Sequence, residues 1–187
     1  MLTAARRFAL PASLAYLWVM MILLGALALQ TFMIYPNIFH DPPASLAAAM
    51  AFMSEAAPSD FFPPLGFLSC VTGAAALALA WPNATARRWL LVSLGCIVAD
   101  GLVSIVFFWP RNDVMFVEGL AVHSAEVLRQ AANEFVTLHW LRLALNIASA
   151  VAAFAAFTAL YRTRIIESAA GRTGATMSDP ASTAALG

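Results

Sequence analysis

The chain has 187 residues, no net formal charge, and a composition that is 62% hydrophobic but only 11% charged, with mean hydropathy +0.81. Soluble domains are about a quarter charged, so this excess of apolar surface needs a lipid bilayer as its partner. All ten basic residues are arginine and none forms a contiguous basic patch, which leaves nucleic-acid binding without electrostatic support.

Four stretches, residues 11–35, 61–80, 89–109 and 136–161, are long enough to cross about 30 Å of hydrocarbon at about 1.5 Å per helical residue. They are too long and too uniformly apolar for barrel strands, and lipid-facing backbone must satisfy its own hydrogen bonds. The sequence therefore predicts an all-α integral membrane protein, a four-helix transmembrane bundle over residues 11–164.

The first stretch follows Arg6-Arg7 and includes Ala26-Leu27-Ala28, the pattern of a cleavable signal peptide. Its apolar run nevertheless continues through Thr31-Phe32-Met33-Ile34, longer than an ordinary signal core, which favours a retained helix ending at Tyr35-Pro36. Asp41-Pro42-Pro43 reads as the cap and first turn of a short surface helix reaching about Met53. Pro58-Ser59-Asp60 starts the second span in the same way, with Asp60 as a cap. The Asn83-Ala84-Thr85 sequon in the next connection reads as chance.

Beyond the third span, residues 114–133 form an amphipathic pattern, with Val117, Leu120, Val127, Leu128 and Ala131 on one face and His123, Glu126, Gln130 and Asn133 on the other. This predicts an outer helix lying over the mouth of the bundle. From residue 165 to 187 the chain is rich in Ala, Ser, Thr and Gly, and a disordered tail is expected.

Arginines gather at Arg6-Arg7, Arg87-Arg88 and Arg162, Arg164 and Arg172, whereas the other two connections carry mostly acids. The positive-inside rule places both termini and the second connection in the cytoplasm, and alanine- and arginine-rich usage without lysine points to the plasma membrane, in a bacterium the inner membrane, as the location. Cys70 and Cys96 lie in different spans and read as packing residues.

Ionisable groups inside the spans are the most informative residues, because each costs about 2.5–3.5 kcal/mol near a helix centre. Asp100 lies about 13 Å and Arg142 about 9 Å from the outward ends of their spans, a match that predicts a buried ion pair. His139, Arg142 and Asn146 recur at helical spacing on one face of the fourth span, followed by Ser149 and Ala153. With Ser93, Ser104 and Gln30 they outline a polar pocket open to the outside, a default binding-site arrangement. Arg111 and Trp140, beside it in sequence, complete the candidate lining.

His40, His123 and His139 all fall on the outer half, yet no metal, haem, phosphate-loop or nucleophile-elbow motif accompanies them. Neither a metal nor any other cofactor is expected.

The segments Tyr35-Pro36, Phe108-Trp109-Pro110-Arg111-Asn112-Asp113 and His139-Trp140-Leu141-Arg142-Leu143-Ala144-Leu145-Asn146 together resemble the anthrone oxygenase-like family. These are small four-helix membrane proteins, mostly bacterial and of unknown function, with fungal relatives that oxidise anthrones to anthraquinones. The resemblance spans about residues 11–162 and implies that Asn112, His139, Arg142 and Asn146 share a pocket.

Three functions remain open on the sequence. One is a bundle that binds a hydrophobic small molecule or lipid, or that stabilises a membrane assembly. Another is a cofactor-independent oxygenase, in which His139, or a buried carboxylate, removes a proton from the activated methylene of a phenolic substrate while Arg142 with Asn112 or Asn146 stabilises the anion. The third is a transporter or proton conductor using Asp100, for which four spans without repeats would have to form a homo-oligomer around a path.

Overall fold

The computed structural model describes residues 2–177, with side chains described for residues 7–170. Among these the protein is all-helical, and four of its helical stretches are long and apolar enough to cross a membrane: Arg7–Ile38, Pro58–Ala80, Ala84–Val122 and Ala125–Ala170. The helices are α1 (Leu2–Leu29), α2 (Tyr35–Ile38), α3 (Ala44–Phe52), α4 (Pro58–Ala80), α5 (Ala84–Val103), α6 (Trp109–Asn112), α7 (Gly119–Val122) and α8 (Ala125–Met177). Of the long helices, α1 packs on α4 and α8, and α5 packs on α4 and α8, so the bundle closes in chain order.

Local chemistry fixes the helix starts. Pro58 occupies the first turn of α4, where its missing N–H costs nothing, and the Asp60 carboxylate reaches back to accept the Ala57 N–H at 2.8 Å. Asn83 begins α5 by accepting the Ala86 N–H at 3.0 Å. The sequon residue is thus a helix cap. Asp41 does not cap α3 with its side chain; its carbonyl accepts the Ser45 N–H at 2.9 Å, and Ser45 Oγ donates to the Ile38 carbonyl.

Tyr35-Pro36 does not end the first span as expected. The chain passes through a π-helical turn, Gln30–Ile34, and continues into α2, with the Tyr35 N–H reaching the Gln30 carbonyl five residues back. The third span does the same at Ser104–Phe108, just before Trp109-Pro110. A proline ring clashes with the carbonyl four residues earlier and donates no hydrogen bond to it. Widening the preceding turn relieves the clash and keeps the helix going.

This continuation overturns two expected boundaries. Residues 114–133 are not one helix lying across the bundle: a third π-helical turn (Asp113–Glu118) and α7 extend the third span to Val122, and α8 starts at Ala125. The two arms form a helical hairpin that buries Met115 with Leu128, Ala131 and Ala132, whereas Val117, Leu120 and Val127 of the expected apolar face are exposed. The small-residue segment after Arg164, expected to be disordered, continues α8 through Met177; residues 178–187 lie outside the described residues.

Two apolar cores result. One, in the body of the bundle, holds Tyr16, Met20, Leu27, Leu90, Ile97 and Ala153; the other, at the hairpin end, holds Tyr35, Leu46, Phe108, Met115, Leu128 and Phe135. Arg129 Nε ties the hairpin to the first connection by donating to the Pro42 carbonyl at 3.1 Å.

Gly73 packs α4 tightly against α5 and α1. A Cβ there would sit 2.6 Å from Leu94 Cδ2 and 2.9 Å from Tyr16 Cε2, and the Tyr16 ring is anchored by its 2.7 Å hydrogen bond to Ser93. Gly73→Ala should therefore cost about 1–3 kcal/mol. Gly25→Ala, with open space around it, should be neutral or stabilising by about 0.5–1 kcal/mol. Unfolding of the two variants in detergent tests this contrast, and equal effects would contradict the assigned packing.

Candidate functional site

Polar side chains form a ladder along one face of α8. At its inner end, Ser149 Oγ donates to the Ser93 carbonyl at 2.9 Å, and Ser93 Oγ donates to the Ser149 carbonyl at 2.8 Å. This reciprocal pair draws α5 against α8. The Tyr16 hydroxyl joins it from α1, 2.7 Å from Ser93 Oγ. Serine is small enough for the backbones to approach, and its hydroxyl leaves no donor unpaired there.

Two turns outward, Arg142 Nε donates to Asp100 Oδ1 at 3.0 Å, with the two side chains only 12% and 10% exposed. The depth match in the sequence thus corresponds to a direct contact between α8 and α5. The Arg142 guanidinium also lies over the Phe108 ring, 4.7 Å from its centroid.

His139, one turn further out and 2% exposed, is held by residues the sequence reading did not include. Its Nε2 lies 2.7 Å from Thr31 Oγ1, and Thr31 Oγ1 lies 2.7 Å from the Leu27 carbonyl. A hydroxyl has one proton. If it donates to the carbonyl, which can only accept, it must receive the hydrogen bond from His139 Nε2–H. The neutral ring then keeps its lone pair on Nδ1, an atom that is buried and has no hydrogen-bond partner.

Asn146 lies one turn on the other side of Arg142 and is fully buried. Its Nδ2 donates to the Arg142 carbonyl at 3.0 Å, leaving Oδ1 buried and unpartnered as well. Two unsatisfied acceptors therefore bracket the ion pair. Aromatic rings close the outer side: His139 meets Tyr35 edge-on at 4.6 Å, and Phe135 meets Tyr35 at 5.5 Å and Phe108 at 4.7 Å.

Of the remaining candidates, Gln30 and Ser104 adjoin this group, whereas Arg111 and Trp140 separate from it. Gln30 is buried, and its Oε1 accepts from the Tyr35 hydroxyl at 3.1 Å. Ser104 Oγ donates to the Asp100 carbonyl at 2.8 Å, within its own helix. Arg111 belongs to an outer cluster: its Nε donates to Glu134 Oε2 at 2.9 Å, and Gln130 donates to Glu134 Oε1 at the same distance. Asn112 is half-buried on the next position of α6. Trp140 faces outward, 53% exposed, with its ring edge against Phe32, so it does not line a polar pocket.

The pocket open to the outside is also corrected. Gln30, Asp100, His139, Asn146, Ser93 and Ser149 are all buried, and the aromatic layer covers the group. The reason is the hairpin, whose core packs directly on this end of the bundle. Thr31 and Tyr35 were legible only as neighbours of Gln30 and Pro36; the π-helical turn at Gln30–Ile34 sets how they are presented to His139. No group of three or more His, Cys, Asp or Glu able to hold a metal ion occurs among the described residues. The histidines are dispersed: His123 pairs with Glu118 near the hairpin tip, and His40 Nδ1 lies 2.8 Å from the Asn37 carbonyl.

No protein-family model, curated protein or solved structure matches the chain. The family resemblance consequently rests on the sequence segments that suggested it.

Removing one member of the ion pair leaves its partner's charge buried, a loss of about 3–5 kcal/mol. Asp100→Leu alone should accordingly destabilise the protein strongly, while Asp100→Leu combined with Arg142→Met should recover most of the loss. Thermal unfolding of the purified variants measures this; a double variant no better than the single would mean that the charges do not depend on one another.

Proposed function

We propose that this protein spans a membrane four times, with both termini on the cytoplasmic side of a bacterial inner membrane, and binds a hydrophobic small molecule that carries hydrogen-bond donors. The observation that carries this reading is the unpartnered His139 Nδ1, buried beside the Asp100–Arg142 pair. An unsatisfied buried polar group costs about 1–3 kcal/mol, and a ligand O–H or N–H would recover that cost. Asn146 Oδ1 adds a second acceptor on the same face. Both atoms offer lone pairs, so an alcohol or phenol suits them and a carboxylate does not.

The surroundings favour a flat, apolar body. Tyr35, Phe108 and Phe135 provide aromatic edges and faces around His139. Two of the three π-helical turns, Gln30–Ile34 and Ser104–Phe108, adjoin this layer, and such turns recur at functional sites. Access would require the hairpin core to part from the bundle.

A second reading is supported by the same lone pair. A neutral buried imidazole can serve as a general base, and the anthrone oxygenase-like resemblance supplies a reaction for it. His139 would take a proton from the activated methylene, and the carbanion would react with dioxygen. The methylene becomes a carbonyl, one oxygen atom enters the product and the other leaves as water. Arg142 is already neutralised by Asp100 at 3.0 Å, which weakens it as a stabiliser of the substrate anion and favours binding over catalysis.

Emodin, a flat phenol, and emodin anthrone distinguish these readings in purified protein. Emodin should bind to the wild-type protein, and His139→Ala should weaken it roughly three- to tenfold, about the worth of one hydrogen bond. With emodin anthrone, oxygen uptake should remain at the spontaneous rate. Uptake above that rate, lost in His139→Ala, would establish the oxygenase reading instead. Absence of emodin binding in a folded wild-type sample would count against a phenol site and leave the ion pair as packing.

A further inference from the structure

The end of the bundle away from His139 carries two adjoining grooves. The larger, about 530 Å³, runs between α1 and α8 and is lined by Leu10, Leu14, Phe157 and Tyr161, with Arg7 and Arg164 at its end. By helical register Arg7 lies one turn beyond Leu10, and Arg164 lies one turn beyond Tyr161. The smaller groove, about 120 Å³, shares Leu10 and Arg164 and reaches Asn83 and Thr163, which are joined by a 3.0 Å hydrogen bond.

Neither Arg7 nor Arg164 takes part in an ion pair among the described residues. Glu167, which lines the smaller groove, has a partner of its own. The neighbouring Arg87 differs: its Nη1 donates to the Trp81 carbonyl at 3.2 Å, and its guanidinium lies 5.0 Å from the Trp81 ring centroid. Two guanidinium groups without an ion-pair partner among the described residues thus stand at the polar end of an apolar groove, at the same end as Trp81 and Trp89. Tryptophan and tyrosine collect at membrane interfaces, where one side of the ring is wet.

We infer that this groove binds an anionic phospholipid of the surrounding leaflet, with its phosphate between Arg7 and Arg164 and an acyl chain along Leu10, Leu14 and Phe157. Guanidinium groups bind phosphate oxygens through paired N–H donors. Phosphatidylglycerol brings a net negative charge to them, whereas phosphatidylcholine brings a fixed cation close to the two arginines. Tyr161, half exposed beside Arg164, places a hydroxyl at headgroup level. The inference shares only membrane insertion with the proposed small-molecule site and involves a different end of the bundle.

Native mass spectrometry of the full chain, delipidated in detergent and titrated with phosphatidylglycerol or phosphatidylcholine, tests it. Phosphatidylglycerol should be retained preferentially by the wild-type protein. Arg7→Gln and Arg164→Gln should each weaken it about fivefold, close to the contribution of one basic residue at an anionic surface. Arg162→Gln, an exposed arginine outside the groove, should change binding less than twofold. Leu14→Trp keeps every charge but fills the groove, and it should also weaken binding. Equal retention of both lipids would overturn the inference. So would an Arg162→Gln loss as large as that of Arg164→Gln, or full retention in a folded Leu14→Trp variant.

Discussion

A charge inside an apolar bundle must meet its opposite, and the 3.0 Å contact between Arg142 and Asp100 meets that constraint by fixing α8 against α5. With the pair in register, the Ser93–Ser149 exchange follows two turns inward and the His139 layer one turn outward. A helical slip by one residue would rotate these side chains by about 100° and separate all three contacts. The pair therefore specifies packing whatever its net contribution to stability, which for buried ion pairs can be small or unfavourable.

The polar layer separates two apolar cores of different character. The inner core is built largely from aliphatic and small side chains such as Leu27, Leu90 and Ala153, which allow close helix approach. The outer core is rich in aromatics, with Tyr35, Phe39, Phe108 and Phe135 in mutual edge and tilted contacts. His139 stands at their boundary. One ring nitrogen is committed to Thr31, which ties α8 to the first helical stretch, and the other is buried without a partner. The two proposed sites occupy opposite ends of the bundle and call for opposite chemistry: donors at His139, anions at Arg7 and Arg164.

Much of this was legible before any coordinates. Apolar run lengths located the four long helices, and the spacing of His139, Arg142 and Asn146 put them on one helical face. The depths of Asp100 and Arg142 brought those two together. The prolines were less informative: Pro36 and Pro110 suggested helix ends, yet the helices absorb them through π-helical turns. Trp140 illustrates the limit of adjacency, since one position along a helix turns a side chain by about 100°, enough to send it outward while His139 faces in.

The sequence by itself determined the class of fold, because hydrophobic length and the cost of buried charge are local or pairwise properties that survive without three-dimensional detail. Only the tertiary structure decided that the outer segment is a hairpin rather than a flat lid, that Thr31 and Tyr35 complete the surroundings of His139, and that the polar face is closed. Those outcomes depend on helix rotation and on which turns widen at the prolines. Both are set jointly by contacts among α1, α5 and α8, so no single segment encodes them.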